Sequence, residues 1–211
     1  MATAQSQAVA AGSFPPRATA GNPNVAGGQF SEQLVSELLG RYAHMAEGGV
    51  LMSAFATITS GVIYSTAAGT GGPLLWNGTS NKKAHLLSVM VGGVTTANTV
   101  ATSIGLTGNI GQTAAPTSTT AITASGNMLI GGPAPSMNVY NVGTVTNAGN
   151  RFAPLGPYGT GAITVAQALA GWIDIGGAMV VLPNSWAAVS FANTATTGVI
   201  QLGLLWAELP L

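Results

Sequence analysis

The chain has 211 residues, within the range of one large all-β domain, and it has no cysteine, which excludes disulfides and thiolate metal sites. Its formal net charge is +0, so no overall field steers nucleic acid or an anionic membrane surface towards it. Only 5% of its residues are charged, against about a quarter in ordinary soluble domains, and its mean hydropathy is +0.43. Its surface is therefore either an uncharged coat of small and polar residues or covered by other subunits, and both indicate a member of an assembly.

Residues 1–28 form the first segment and are mostly Ala, Gly, Ser, Pro and Asn. They cannot bury enough apolar area to offset the loss of chain entropy, so we expect a flexible N-terminal arm. No secretory signal is expected, because residues 1–13 contain neither a basic residue nor a long apolar run. The candidate partner contacts of the arm are an aromatic ring, a stiff extended pair and a cation, namely Phe14, Pro15, Pro16 and Arg17. A plain flexible tail is the alternative.

Residues 29–48 have a helical pattern. Ser31 is a suitable N-cap, and Phe30 and Val35 lie at the spacing of a hydrophobic staple. One face carries an apolar stripe, formed by Leu34, Val35, Leu38, Leu39 and Tyr42. We expect four side chains of this segment to contact a partner protein: Phe30, Leu34, Leu38 and Tyr42. The double glycine at 48–49 should end the helix, while a glycine inside the pattern leaves two shorter helices as an alternative.

From residue 49 onward, short apolar runs alternate with turn residues such as Gly, Asn and Pro. The candidate strands are residues 50–57, 62–66, 74–77, 85–91, 99–106, 119–124, 127–130, 138–146, 162–165, 178–182, 187–191 and 199–206. Many short strands with turns between them favour an all-β fold, a sandwich or a barrel, over alternating strands and helices. A short helix at 166–173 is an alternative there, because Gln-Ala-Leu-Ala favours one. The predicted organisation is an arm at 1–28, a helix at 29–48 and an antiparallel β-sandwich at 49–211.

The last stretch, residues 198–211, is almost wholly apolar and carries one charge, Glu208. It is too short and too interrupted by glycine to span a bilayer as a helix. A short apolar run after a turn-rich segment is typical of a strand that is buried on both faces. We therefore expect this strand to lie at the centre of the sandwich.

Titratable residues are few: the chain has one Asp, four Glu and two His. Asp174 has no second carboxylate or His near it in the sequence, so a turn residue that accepts backbone hydrogen bonds is favoured over a catalytic carboxylate. His44 and His85 lack the spacing of metal ligands. We therefore expect a non-enzymatic protein with no catalytic residue, no metal and no cofactor.

Other polar and aromatic motifs have plain structural interpretations. Lys82 and Lys83 are expected at an exposed loop tip, since a phosphate site would need more cations or a glycine loop that enters a helix. Asn77-Gly78-Thr79 matches a glycosylation acceptor, but a tight turn explains Asn-Gly as well. The tryptophans are expected to pack in the core or at a subunit interface rather than to form a sugar-binding platform. They are Trp76, Trp172, Trp186 and Trp206.

Three short motifs lie towards the ends of the chain: Gly40-Arg41-Tyr42, then Ile173-Asp174-Ile175 with Val180-Val181-Leu182-Pro183-Asn184-Ser185, and finally Leu204-Leu205-Trp206-Ala207-Glu208-Leu209-Pro210-Leu211. In these motifs the chain resembles a family of structural proteins of tailed bacteriophages, many of them from aquatic phages. That family usually has Ile-Asp-Gly and Val-Pro-Pro-Gly late in the chain and ends in Trp-Glu-Glu-Val/Ile-Pro-Leu. This sequence departs from the pattern at Ile175, Asn184 and Ala207, and residues 57–171 match only in their Thr, Ala and Gly texture.

The resemblance implies a virion protein, and more narrowly a capsid cement (decoration) protein with a jelly-roll-like β-sandwich. Such a protein stabilises the assembled head by binding across its subunits, so the expected partners are the major capsid protein and further copies of the chain in a homotrimer. The expected location is the capsid surface of the virion, after synthesis in the host cytoplasm, without nucleic acid or membrane as partner. The alternatives are a head fibre, tail or baseplate component, an outer-membrane barrel, and a carbohydrate-binding or carbohydrate-acting protein.

Overall fold

The computed structural model describes residues 42–58, 70–94, 102–122, 124–158, 171–191 and 200–211. The predicted arm and the predicted strands at 62–66 and 162–165 lie outside these ranges. The chain divides into two units between Gly48 and Gly49. The described helix belongs to the first unit, and all the described strands belong to the second.

Helix α1 (Ala43–Glu47) is the described part of the predicted helix, and it ends at Gly48. The N–H of Ala46 donates to the Tyr42 carbonyl at 3.0 Å, and the N–H of Gly48 donates to the His44 carbonyl at 2.9 Å. The rest of the predicted helix, residues 29–41, lies outside the described ranges. No helix in the described part of the chain has the length and apolar character needed to cross a membrane.

Eleven strands are found within the described residues: β1 (Leu51–Ile58), β2 (Thr70–Asn77), β3 (Lys82–Val94), β4 (Thr102–Ile110), β5 (Thr117–Ala121), β6 (Ala124–Asn127), β7 (Asn138–Thr144), β8 (Arg151–Tyr158), β9 (Gly171–Val181), β10 (Ser185–Phe191) and β11 (Ile200–Pro210). The first sheet has the order β6-β1-β11-β3-β9, and the second has the order β5-β7-β2-β10-β4-β8. The strand pairings in both sheets are antiparallel. The predicted all-β class is confirmed.

Eight of these strands pair in a nested order along the chain. β1 pairs with β11, β2 with β10, β3 with β9 and β4 with β8, and successive pairs alternate between the two sheets. This is a long hairpin rolled into a sandwich, which is the jelly-roll pattern. Strands β5, β6 and β7 are inserted between β4 and β8, and they extend both sheets beyond β1 and β2. The jelly-roll-like sandwich expected from the resemblance is therefore the observed fold.

The core lies between the two sheets and receives side chains from both. Its fully buried members include Leu75 and Leu106 from the second sheet and Leu204 and Trp206 from the first. β11 is the middle strand of the first sheet, and every residue from 202 to 208 is buried. The prediction that the last strand is central and buried on both faces is confirmed.

The second sheet also buries apolar side chains on its outer face. Leu74, Val145, Trp186 and Ala188 form a separate buried cluster there. The segment after β4 is held at this face by Gln112. Its side-chain oxygen accepts the Thr146 N–H at 2.7 Å, and its backbone N–H donates to the Asn184 carbonyl at 2.9 Å. Chain segments of the same molecule therefore close this face.

Two sequence predictions at strand ends are wrong. Residues 127–130 are not a strand, because Asn127 ends β6 and its side-chain oxygen accepts the Leu129 N–H at 2.8 Å, which turns the chain. Lys82 and Lys83 are not a loop tip, because they open β3 and pair with the last residues of β11.

Two other segments differ from expectation. β8 is not among the predicted strands, and it contains two prolines, Pro154 and Pro157, a residue type that is disfavoured in a strand interior. β8 is an edge strand of the second sheet, and an edge tolerates proline because the missing N–H can face away from the ladder. Residues 171–173, part of the alternative helix at 166–173, open β9 instead.

Three connections lie together at one end of the sandwich, which we call the clasped end: residues 78–81 between β2 and β3, residues 128–137 between β6 and β7, and residues 182–184 between β9 and β10. β1 begins and β11 finishes at this end, since Leu51 pairs with Ala207. Backbone bonds join the connections to the sheets: Met128 N–H to Leu51 carbonyl at 2.9 Å, Asn184 N–H to Asn77 carbonyl at 2.8 Å and Leu211 N–H to Asn81 carbonyl at 3.0 Å.

Candidate functional site

Glu208 is a buried carboxylate at the clasped end, with 3% of its surface exposed. Its Oε1 accepts hydrogen bonds from the N–H groups of Ser136 at 3.1 Å and Met137 at 3.2 Å, and from Trp206 Nε1 at 3.4 Å. Its Oε2 accepts the Ser136 hydroxyl, and Lys82 Nζ lies 3.4 Å away. Donors on both oxygens offset the loss of hydration of a buried charge. Glu208 therefore clasps the β6–β7 connection to β11 and β3.

Asn77 forms a second clasp and is fully buried. Its Nδ2 donates to the carbonyls of Lys82 at 2.9 Å and Val181 at 3.1 Å, which joins β2 to β3 and β9. Its Oδ1 accepts the N–H of Thr79 at 3.0 Å and the Thr79 hydroxyl at 2.7 Å. The amide is fully used within the fold, so the structure supports the tight-turn interpretation of Asn77-Gly78-Thr79 rather than a glycosylation acceptor.

An apolar tip, residues 128–133, projects from the clasped end. Ile130 is 99% exposed, Met128 is 49% exposed and Leu129 is 40% exposed. Three consecutive large apolar side chains at the surface are unusual for a protein that has no partner. In the sequence, the tip corresponds to a short apolar run, Met128 to Ile130, that is followed by Gly-Gly-Pro. The strand predicted at 127–130 includes this run.

Asn127 holds the base of the tip in place. Its Nδ2 donates to the carbonyls of Gly49 at 2.8 Å and Pro133 at 2.9 Å, and its Oδ1 accepts the Leu129 N–H at 2.8 Å. The N–H of Gly132 closes the turn on the Leu129 carbonyl at 2.8 Å. The exposed side chains are therefore presented by a loop whose backbone is fixed by several hydrogen bonds.

An edge cavity of about 160 Å³ lies beside the β9–β10 connection, lined by residues of β4, β9 and β10. Ile110, Val180 and Leu182 are among its lining residues and are themselves largely exposed. Met179 and Trp186 also line it, and no lining residue carries a charge. Asn109 and Ser185 are its polar lining residues, so the edge cavity is an uncharged, mostly apolar depression with an apolar rim.

The outer face of the first sheet carries an apolar row. Met90 pairs with Trp172, and Gly203 pairs with both Met90 and Phe55, so these residues align across four strands. Their sequence neighbours pack in the core, so Phe55, Met90 and Trp172 point outward. A Cβ on Gly203 would lie 3.0 Å from the Met90 Cβ and 3.8 Å from a Phe55 ring carbon. The absence of a side chain at Gly203 therefore lets Phe55 and Met90 approach each other across β11.

Asp174 lies at an internal turn of β9. Its Oδ1 accepts the N–H of Gly176 at 2.9 Å. Gly176 and Gly177 have φ values of 57° and 81°, a left-handed conformation that favours glycine. The sequence favours a turn residue that accepts a backbone hydrogen bond, and the Oδ1 of Asp174 accepts such a bond.

The two histidines lie on separate elements, one in each unit of the chain. His44 is in α1, and its Nδ1 lies 3.6 Å from a Glu47 carboxylate oxygen. His85 is in β3, and its Nε2 is buried without a hydrogen-bond partner among the described residues. Among those residues, no group of three or more His, Asp or Glu side chains is placed to hold a metal ion.

The tryptophans divide into three packed side chains and one exposed one. Trp186 and Trp206 are buried in the two clusters, and Trp76 is half-buried and donates its Nε1 to the Gln112 carbonyl at 3.0 Å. Trp172 differs, because it lies on the outer face of an edge strand and is 57% exposed.

Tyr42 is the one predicted partner contact that lies within the described residues. It is half-buried and precedes the first residue of α1. The other predicted contacts fall outside the described ranges: Phe14, Pro15, Pro16, Arg17, Phe30, Leu34 and Leu38. The partner role of all of them stays a prediction.

No family model, no curated protein and no solved structure matches the chain. The function has to be inferred from the fold, from the surface features of the described residues and from the short terminal motifs.

Proposed function

We propose that the protein is a non-enzymatic structural protein of a tailed-phage virion. The function we favour is that of a cement protein, which binds the outside of the assembled head and bridges major capsid protein subunits. A ligand that binds only the assembled state stabilises that state by mass action, so such a protein needs contact area rather than a reactive cleft.

The apolar row of Phe55, Met90 and Trp172 is the observation that carries this proposal. It lies on the outer face of the first sheet, where Trp172 is exposed and Phe55 and Met90 are half-buried, and the core packs on the opposite face of the same strands. Large aromatic and Met side chains are also the types enriched at protein interfaces. The partner that this face would meet is the shell of major capsid protein.

The two acidic residues of the short motifs also support a structural role. Asp174 closes an internal turn and Glu208 clasps the β6–β7 connection. Each carboxylate is engaged by backbone N–H groups of its own chain, as expected of residues that maintain a framework.

Binding to purified phage heads that lack the protein tests this function. Wild-type protein should cosediment with the heads to saturation. Trp172→Glu should reduce the affinity by about tenfold or more, because a charge would be buried in an apolar interface. Thr120→Glu is the matched control, since it adds the same charge to exposed strand β5 of the other sheet and should bind as wild type does. Failure of the wild-type protein to bind would contradict the proposal.

The exposed Trp172 also favours a second candidate, a carbohydrate-binding virion component such as a fibre or baseplate protein. An exposed aromatic ring offers an apolar face on which a sugar ring can pack, and Trp172 is 57% exposed. A glycan array with wild-type protein and Trp172→Glu separates the two functions. Specific glycan binding that the substitution abolishes, without binding to heads, would favour this second candidate.

A further inference from the structure

Two apolar features of the clasped end match in size. The apolar tip presents Ile130, an almost fully exposed branched side chain, on a loop fixed by Asn127. The edge cavity offers about 160 Å³ within an uncharged, mostly apolar lining. An apolar cavity of about 150 Å³ is large enough to bind benzene, so the edge cavity has room for the four side-chain carbons of an isoleucine.

The tip and the cavity also match in charge. Residues 127–136 contain no charged residue, and the lining of the edge cavity contains none. Burying an unpaired charge is costly when two surfaces join, and an interface between the tip and the cavity would bury none. A second copy of this sparsely charged chain is therefore a partner that carries both the uncharged tip and the uncharged cavity.

Their positions prevent one molecule from filling its own cavity. The tip follows β6, at one edge of the first sheet, and the cavity adjoins β9, at the opposite edge. With strands about 4.8 Å apart, the two edges are separated by about 19 Å. Both features nevertheless lie at the same end of the sandwich, so the tip of one copy can face the cavity of a neighbour placed beside it.

We propose that the chain self-associates head to tail, with Ile130 of one copy inserted into the edge cavity of the next. The contact is heterologous, because two different surfaces meet, and repetition about a rotation axis closes it into a ring. The rim residues Ile110, Val180 and Leu182 then surround the inserted side chain. This self-association goes beyond the proposed virion role, since it is a property of the isolated chain.

Analytical ultracentrifugation of the full chain over a concentration series tests the interface. Wild-type protein should sediment as an oligomer, while Ile130→Asp and Val180→Asp should each sediment as monomers. Leu211→Asp is the matched control, because Leu211 is an exposed apolar residue at the clasped end outside both features. It should keep the wild-type mass. A monomeric wild type, or an Ile130→Asp variant of wild-type mass, would overturn the proposal.

Mixing the two disabled variants distinguishes a heterologous contact from a symmetric one. The Ile130→Asp chain keeps its cavity and the Val180→Asp chain keeps its tip, so the mixture can form one intact contact and no ring. The expected product is a 1:1 heterodimer and nothing larger. A mixture that stays monomeric would show that the tip and the cavity do not bind each other, which contradicts the proposal.

Cysteine crosslinking gives a readout that does not depend on destabilising the interface. The natural chain has no cysteine, so an introduced pair reacts without background. Ile130→Cys mixed with Leu182→Cys should yield disulfide-linked dimers under mild oxidation, and each variant alone should yield few. Equal crosslinking of Ile130→Cys with itself would indicate a symmetric tip-to-tip contact and refute the head-to-tail arrangement.

Discussion

The carboxylate of Glu208 accepts hydrogen bonds from two residues that lie 72 and 71 positions earlier in the chain, Ser136 and Met137. The sequence shows one charge in an apolar strand and so indicates that this residue needs partners. It cannot show which residues these are, because a separation of this length leaves no periodicity or spacing to interpret. The identity of the clasp therefore emerges only from the fold.

Replacing this carboxylate tests its structural role. Glu208→Gln keeps the shape but places an amide N–H₂ opposite the donors of Ser136, and it leaves Lys82 without its anion. Loss of hydrogen bonds to a charged group should lower the free energy of unfolding by about 2–3 kcal/mol, measured by urea denaturation at unchanged slope. Glu47→Gln, on the exposed surface of α1, is the control and should leave the midpoint unchanged. A Glu208→Gln variant as stable as wild type would show that the clasp contributes little.

Tyr140 gives a prediction about alkaline pH. Burial raises the pKa of Tyr140 above its ordinary value of 10.0, because the phenolate loses hydration. Below pH 10.0 the side chain is neutral in both states, so it does not change stability there. Above that pH the unfolded chain ionises first, so stability falls until the pKa of the folded state is passed.

The comparison with Tyr140→Phe isolates this effect. The variant should lose less stability than wild type as the pH rises above 10.0, measured by denaturant midpoints at a series of pH values. The other tyrosines of the chain are common to both proteins. Parallel curves for the two proteins would show that Tyr140 is not the responsible group.

At the scale of the element, the sequence predicts strands best where burial determines the pattern. β11 was expected to be central and doubly buried, because its apolar run leaves no solvent-facing residues, and it is. The same reasoning does not predict β8, because Pro154 and Pro157 argue against a strand. Proline is nevertheless accepted there, since β8 lies at the edge of its sheet. The strand prediction for residues 127–130 is wrong because the exposure of three apolar residues cannot be inferred from local pattern alone.

The apolar tip depends on Asn127 for its fixed shape. Asn127→Ala removes two donated hydrogen bonds and one accepted one, so the free energy of unfolding should fall by about 1–3 kcal/mol. Amide exchange in residues 128–133 should become faster, measured by hydrogen–deuterium exchange with mass spectrometry. Asn147→Ala, which loses one side-chain bond to the Ile110 carbonyl, is the control and should leave exchange in the tip unchanged. Unchanged exchange in Asn127→Ala would mean that other contacts hold the loop.

At the scale of the whole molecule, the predicted arm at 1–28 is expected to add contacts to a fold that does not require it. Deleting residues 1–28 should leave the unfolding transition of the β-sandwich in place, since the described strands all belong to a separate unit, residues 49–211. Attachment to phage heads should weaken, because the arm orders on docking and wraps a larger surface. Cosedimentation with heads and thermal unfolding measure the two effects separately, and undiminished attachment of the truncated protein would refute the role of the arm.

The measurement that tests the proposed capsid role most directly is the copy number of the protein in purified virions of the tailed phage that is proposed to encode it. Quantitative mass spectrometry would give its ratio to the major capsid protein. A cement protein should be present at a fixed, stoichiometric ratio and should remain on intact heads after tails are removed. Its absence from complete virions, or its loss together with the tails, would contradict a place on the capsid surface.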